Sequence, residues 1–538
     1  MNNLYWADPK QRRQVLYLLL LLPLIFAFLA VYHGQDNSWD LRNYHFYNAY
    51  SIDTNRLDTD IQMAQVQGYL NPTIDLLFYH LIQNFSPRTA TFILGYIHGL
   101  TASLVLLLSL LIVRPFLAPH ARLIGALVIT AAGCYAPTLY SLAGIASNDI
   151  TASLFVLAPV LLIVHLKNLP EKEPANSRLM LASAGVLLGM GVGMKLTLLI
   201  YAIAMIAALM VTDDSWKSRV EGVIMASVGL LVGLLMTRGH WMWYLWQNFQ
   251  SPLFPFYNRI FESPFYLLEN FSDLRYLPKS LVDHLLFPFI RGFENSYTAM
   301  QKGNHDFRYG IVYLLLAVSL AIRLIKSRAP NKKAEDELRW HNQERFLVAF
   351  FIAAYAVWQL KFSIWRYASP LEQLAPLLAV ILVSRLLAAE KLRFAVISFL
   401  FVVMALSMRT KAHERLPFKD AFFRIQVPQI ENPERAVILV AGGRPWSYLA
   451  TAFPPATRFI RISSNMITPG DTTRLVDRIR SAINAHEGPF FLLTRRRYLA
   501  GHLGELQAYG LTYSTNQAMT INSEHEPPGL FLLPLKRY

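Results

Sequence analysis

The residues best equipped for chemistry stand just after the first long apolar run, in Gly34-Gln-Asp36-Asn-Ser38-Trp39-Asp40-Leu-Arg42-Asn43-Tyr44-His45-Phe-Tyr47-Asn48-Ala-Tyr50. Read as a helix from Ser38 or Trp39, this stretch puts Asp40, Tyr44, Tyr47 and Asn48 on one face, because residues three and four apart are neighbours on a helix. A carboxylate so placed is a candidate general base, able to take a proton from a hydroxyl. The plainer alternative is an amphipathic interfacial helix with Asp40 as its N-terminal cap. His45 is a second candidate base, or a hydrogen-bonded structural histidine.

Further along stand isolated ionisable residues inside apolar surroundings. Asp149, in Ser147-Asn148-Asp149, is a candidate second acid that orients a reactant or binds a divalent metal, or simply part of a helix start. Lys195, in Gly191-Val-Gly193-Met-Lys195, and Arg366 with Tyr367, in Ser363-Ile-Trp365-Arg366-Tyr367, offer cations for an anionic group. Arginine can hold a phosphate with two parallel hydrogen bonds. Cations at helix ends also snorkel to the interface without binding anything. His305-Asp306-Phe-Arg308 could contact a phosphate or be an ordinary helix start, and Asp53, Asp58 and Asp60 read as solvated.

The elements that must position these residues are membrane helices. Of 538 residues 54% are hydrophobic and 16% charged, with a mean hydropathy of +0.31, too apolar for an ordinary soluble domain. Apolar runs of about 17 residues or more, enough to cross a hydrocarbon core, recur from Val15 to Met408. They predict about eleven spans, near 14–32, 89–113, 122–140, 149–166, 179–194, 196–212, 219–237, 309–326, 344–361, 369–388 and 392–408. Leu179 to Val211 reads as two spans meeting at Lys195. Merging them would put Arg323, Lys326, Arg328, Lys332, Lys333, Arg339 and Arg345 outside, against the positive-inside rule.

The formal charge of +15 follows from that rule and does not require nucleic acid. The single cysteine, Cys134, excludes an intrachain disulfide and reads as a packing residue. Lys10-Gln-Arg-Arg13 and the apolar run behind it read as a retained first helix, since Val31-Tyr32-His33 offers no small-residue cleavage site. With the N-terminus cytoplasmic, two loops, about 33–88 and 238–308, and the tail from Arg409 face the opposite side. The second loop is dense in Trp241, Trp243, Tyr244, Trp246, Pro252, Pro255 and Tyr257, the composition of an aromatic belt.

The expected organisation is a transmembrane module over 1–408 and a small α/β domain over 409–538. The tail carries 17 Lys and Arg against 10 Asp and Glu, suited to lie near anionic headgroups or an anionic glycan. Strands are predicted at 436–441, 458–462, 489–494 and 529–533, and a helix over 471–486 with Leu475, Ile479 and Ile483 on one face. The alternation suggests a mostly parallel sheet. Gly442-Gly443-Arg444 lacks the spacing of a nucleotide-binding loop and reads as a turn.

An acid soon after the first span, with Tyr44 and His45 four and five residues on, resembles the short motif of the GT-C glycosyltransferases, and so does the polytopic architecture. The resemblance implies a bacterial inner-membrane enzyme that moves a sugar from a polyprenyl-phosphate donor to a hydroxyl of a glycan or lipid at the periplasmic face. It implies Asp40 as catalytic base, with Tyr44, His45, Asp149, Lys195, Arg366 and Tyr367 in substrate binding. Gly191-Val-Gly193 followed by Lys195 looks like a recurring feature of these enzymes. A Trp-Trp-Asp motif is absent, which weighs against transfer to asparagine. No nucleotide cofactor is implied, and a divalent metal is left open. The rival readings are a transporter or flippase, which would show repeated halves and midplane charges, and a non-catalytic subunit of an envelope polysaccharide assembly.

Overall fold

The computed structural model describes residues 9–169, 174–213, 215–293, 305–327, 340–513 and 517–537. Helices stand at all eleven expected spans: Pro9–His33, Pro87–Val113, Arg122–Cys134, Asp149–Asn168, Pro174–Met194, Leu199–Thr212, Trp216–Phe249, Arg308–Ser327, Asn342–Lys361, Ser369–Leu386 and Glu390–Ser407. Among the described residues seven helices are long and apolar enough to cross a membrane, while the Arg122 and Leu199 helices are apolar but shorter. Leu20, Ile25 and Phe28 on the first helix are each about 60% exposed, a surface suited to lipid and costly in water. The helix around Trp365–Leu386 is the opposite case, with 89% of its apolar window buried against 28% for the first. The chain is a helical multi-span membrane protein with a sheet in its C-terminal part.

Two boundaries differ from expectation. The span predicted over 122–140 breaks before Pro137, because proline removes a donor and disfavours helix in the residue before it. The span predicted to end at 237 runs on to Phe249, so the aromatic segment is helical over its first turns. Trp241 is buried there and donates to the Tyr69 carbonyl at 2.9 Å, while Trp243 and Trp246 are exposed. Leu179 to Val211 is two helices: the first ends at Met194, and Lys195 is extended at φ −141° and ψ 101°. Arg328, Lys332, Lys333 and Arg339 lie outside the described residues.

The chain packs into two compact units. The first takes Met1–His33, Thr91–Thr237 and Asp273–His413; the second takes Gly34–Ala90, Arg238–Ser272 and Glu414–Tyr538. In the first unit the Pro174 and Trp216 helices touch backbone to backbone through reciprocal glycines. A side chain at Gly185 or Gly189 would strike the Ala226 or Leu230 carbonyl, and one at Gly229 or Gly233 would strike that of Ala182 or Val186. Such small residues four apart are how membrane helices approach closely without a hydrophobic drive.

The second unit has an aqueous-type core. Ile61, Val66 and Tyr69 from the first loop, Trp241, Leu245 and Phe249, and Val437, Leu439, Ile460, Leu475, Ile479, Ile483 and Leu492 bury one another. Each large apolar side chain so buried contributes about 1.5–3 kcal/mol. The expected Leu475, Ile479 and Ile483 face is the buried face of the helix Arg474–Asn484, whose Thr473 caps it by accepting from the Val476 amide at 3.4 Å. The sheet has seven strands, in order Ile425–Gln426, Met519–Ser523, Leu530–Arg537, Phe490–Arg495, Val437–Val440 and Arg458–Arg461, with Leu511–Tyr513 also on Leu530–Arg537. Only Val437–Val440 pairs in parallel, with both its neighbours; every other pairing is antiparallel. The expectation of a mostly parallel sheet is therefore corrected to a mixed one. The helices Arg474–Asn484 and Leu499–Gln507 alternate with strands and so read as parallel crossovers, but the chain after the second one pairs antiparallel on Leu530–Arg537.

Candidate active site

In the first unit four of the expected residues, drawn from three separate stretches of the chain, come together. Asn148 turns the chain with a left-handed backbone, φ 62°, so that Asp149 opens the helix Asp149–Asn168. Its carboxylate makes no cap. Lys195 at the helix break donates from Nζ to Asp149 Oδ1 at 2.5 Å and to the Ser147 carbonyl at 2.9 Å. Arg366, in the 3₁₀ turn Trp365–Ala368, brings Nε to 3.5 Å from Asp149 Oδ2. The Asp149 carboxylate is almost wholly buried, while both cations keep about 15% of their side-chain surface. Tyr367 lies beneath both, its ring centroid 5.7 Å from Lys195 Nζ and 5.4 Å from the Arg366 guanidinium. Tyr201 fixes that turn by donating to the Tyr367 carbonyl at 2.7 Å. Two cations thus share one carboxylate, an arrangement that pre-aims positive charge and keeps it from collapsing onto other groups.

The Arg366 turn rests on a buried polar junction of Asp306, Arg308 and Glu372. Asp306 and Arg308, open to a phosphate-binding role from the sequence, are fully buried and bonded to each other. Arg308 also donates to the Glu372 carbonyl at 2.8 Å and the Tyr135 carbonyl at 2.7 Å. Glu372 accepts from the Trp365 indole and from the Thr138 amide. Arg308 is thus spent on internal carbonyls and a buried acid, and its work is to hold the Trp365–Ala368 turn in place. Burial raises the Asp306 carboxyl above its ordinary range, against the pull of Arg308.

In the second unit the Asp40 helix forms where expected, but Ser38 caps it. The Ser38 hydroxyl accepts from the Leu41 amide at 3.3 Å, and Asp40 makes no capping bond. Residues Leu41–His45 form a π-helical turn, with the Phe46 amide reaching back to the Leu41 carbonyl. The extra residue in that turn breaks the three-and-four spacing. Asp40 and Tyr44 therefore part from Tyr47 and Asn48, correcting the single face expected of them. Tyr47 and Asn48 line a small cavity with Asp60, Arg56 and Gln65, whereas Asp40 and Tyr44 are not among its lining residues.

Asp40 is buried, in an acidic group with Asp36, Glu414 and Glu526. Burial first, then Asp36, Asp40 and Glu526, push the Glu414 carboxyl up, while Arg42 pulls it down. Arg42 bonds Glu526 at 2.7 Å, and Arg495 bonds its other oxygen at 2.6 Å. His45 Nδ1 lies 2.7 Å from Asp75 Oδ1, and its ring packs 3.9 Å from that of Tyr44. Asp60, expected to be solvated, is buried between Arg56, at 2.8 Å to each carboxylate oxygen, and the Tyr47 hydroxyl at 2.6 Å. Burial and that carboxylate keep Tyr47 protonated far above the ordinary tyrosine range. Arg56 four residues before Asp60 was the signal that could have found this pair. No signal pointed to Glu414, which comes from the tail.

Among the described residues no three His, Cys, Asp or Glu side chains gather as a metal site, and the Asp149 carboxylate is engaged by cations. No protein-family profile and no curated protein matches the chain. Among solved structures it is similar to the crystal structure of ArnT from Cupriavidus metallidurans bound to undecaprenyl phosphate, with 13% identity over 98% of both chains and a TM-score of 0.46.

Proposed function

We propose that the chain is an inverting glycosyltransferase that uses a polyprenyl-phosphate sugar and works at the periplasmic face of a bacterial inner membrane. The observation that carries the reading is the pairing of Lys195 and Arg366 on the one buried carboxylate of Asp149, at the ends of apolar helices. A lipid phosphate needs cations at that depth, and an unpaired cation there would be costly. In the reaction Asp40 takes the proton of an acceptor hydroxyl as its oxygen bonds to the anomeric carbon. The bond from that carbon to the phosphate oxygen breaks, and its electrons leave with the polyprenyl phosphate, whose added charge Lys195 and Arg366 hold.

The test is release of radiolabel from polyprenyl-phosphate sugars by the purified chain in nanodiscs, with Asp40→Asn and Lys195→Met alongside. Turnover by the native chain, lost in both variants, is the expected result. Retained turnover in Asp40→Asn sinks the base; vesicle uptake of label without transfer favours a transporter.

A further inference from the structure

The carboxyl ends of the three parallel strands hold a second polar cluster, which the proposed transfer does not use. Val437–Val440 lies between Phe490–Arg495 and Arg458–Arg461. The chain leaves the first of these toward Arg458–Arg461 and leaves Phe490–Arg495 toward the antiparallel strands, so the two exits diverge. Open α/β sheets bind ligands at such a switch point. Here the exits are Gly442-Gly443-Arg444-Pro-Trp446 and Arg496-Arg497-Tyr498.

The two exits meet over one ring. The guanidinium groups of Arg444 and Arg497, both exposed residues, each lie 4.6 Å from the Tyr498 ring centroid. The Trp446 and His502 rings stand 6.3 and 6.2 Å from it. Trp446 is 1% exposed, yet its indole N–H has no hydrogen-bond partner among the described residues, and neither has the Tyr498 hydroxyl or His502 Nε2. Leaving one buried donor unmade costs about 1–3 kcal/mol, so two such donors beside one pair of cations call for a ligand rich in acceptors. Beneath the loop the fully buried Arg461 donates to the carbonyls of Gly442 at 2.5 Å, Met63 at 2.9 Å and Arg444 at 3.2 Å. Its charge adds to the positive field. Glu505, on the same helix as His502, is engaged with His502 Nδ1 at 2.9 Å. The helix Leu499–Gln507 also begins here, its amide end toward the same exit.

We propose that this strand-end cluster binds a phosphate monoester, gripped by Arg444 and Arg497 and hydrogen-bonded by the Trp446 indole and the Tyr498 hydroxyl. A phosphoryl group presents three acceptor oxygens, which matches forked cations and several neutral donors better than a single carboxylate would. The site is separate from the Lys195 and Arg366 pair, and the proposal does not depend on the transfer reaction.

The test uses the full chain in phosphatidylcholine nanodiscs, labelled with 5-fluorotryptophan, with the Trp446 resonance assigned through Trp446→Phe. Glucose 1-phosphate is expected to shift that resonance saturably, and glucose to leave it in place. Replacing Arg444 and Arg497 together by Gln should raise the half-saturation concentration by about tenfold or more, and Tyr498→Phe, which keeps the ring, should raise it less. Lys195→Met should leave the response unchanged. The same shift produced by phosphatidic acid in the disc identifies the monoester as a lipid headgroup; a shift with glucose 1-phosphate alone identifies a soluble one. Absence of a shift from either probe overturns the proposal. So does a native response in both the double variant and Tyr498→Phe, or a response abolished by Lys195→Met.

Discussion

The Asp149 cluster and the Asp40 helix carry the two halves of one proposed reaction, and they are built differently. Around Asp149, single residues from three helix ends converge, and each side chain has a defined partner within 3.5 Å. The Asp40 region is one continuous stretch of chain whose expected face is split by a π turn, with its acid among other acids. The difference teaches where each function tolerates change. A cation pair held by a shared carboxylate is set by helix ends that cannot move independently. An acid placed among other acids is set by a group of side chains, of which one, Glu414, belongs to the far end of the chain.

Substitutions can break or sharpen this contrast. The largest effect is expected from Arg308→Met, which leaves Asp306 and Glu372 buried without their cation. A loss of about 3–5 kcal/mol should show as a strongly lowered melting temperature in detergent, and a native melting curve would show the junction to be dispensable. Asp40→Asn should reduce turnover by about 10²–10⁴ with donor binding intact, measured as label release against label retention. Lys195→Met should lower turnover by about 10²–10³ and weaken donor binding too, because it strips a cation from both Asp149 and the phosphate. If the two variants fall alike in turnover and binding, the assignment of base and phosphate holder to separate regions fails. Ser38→Ala should cost about 1 kcal/mol of stability through the lost cap, read from thermal unfolding, with turnover nearly native provided Asp40 keeps its place.

The sequence made the helices legible because a membrane span has to be apolar over its whole length, and eleven such runs could be read with errors only where Pro137 or the aromatic stretch after Arg238 intervenes. The break at Lys195 was legible for a different reason, since basic loops constrain which side each span can end on. Asp149, Lys195, Arg366 and Tyr367 stood out as polar residues in apolar surroundings, and the same contrast left Arg308 open between two readings. A charge at a helix start looks alike in sequence whether it faces a ligand or a buried carbonyl.

What the sequence alone determined is therefore the membrane character, the helical spans and the candidates, all properties of local composition and period. Tertiary structure alone decided which candidates meet: that Asp149 binds both cations, that Tyr47 and Asp60 form a buried pair with Arg56, and that first-loop residues share a core with the tail. The physical reason is the range of the interactions. Hydrophobic period is written within a few turns, whereas ion pairs and hydrogen bonds act over a few ångströms between residues that may be hundreds apart in the chain. One extra residue in a π turn, which no composition signals, is enough to move a carboxylate off its expected face.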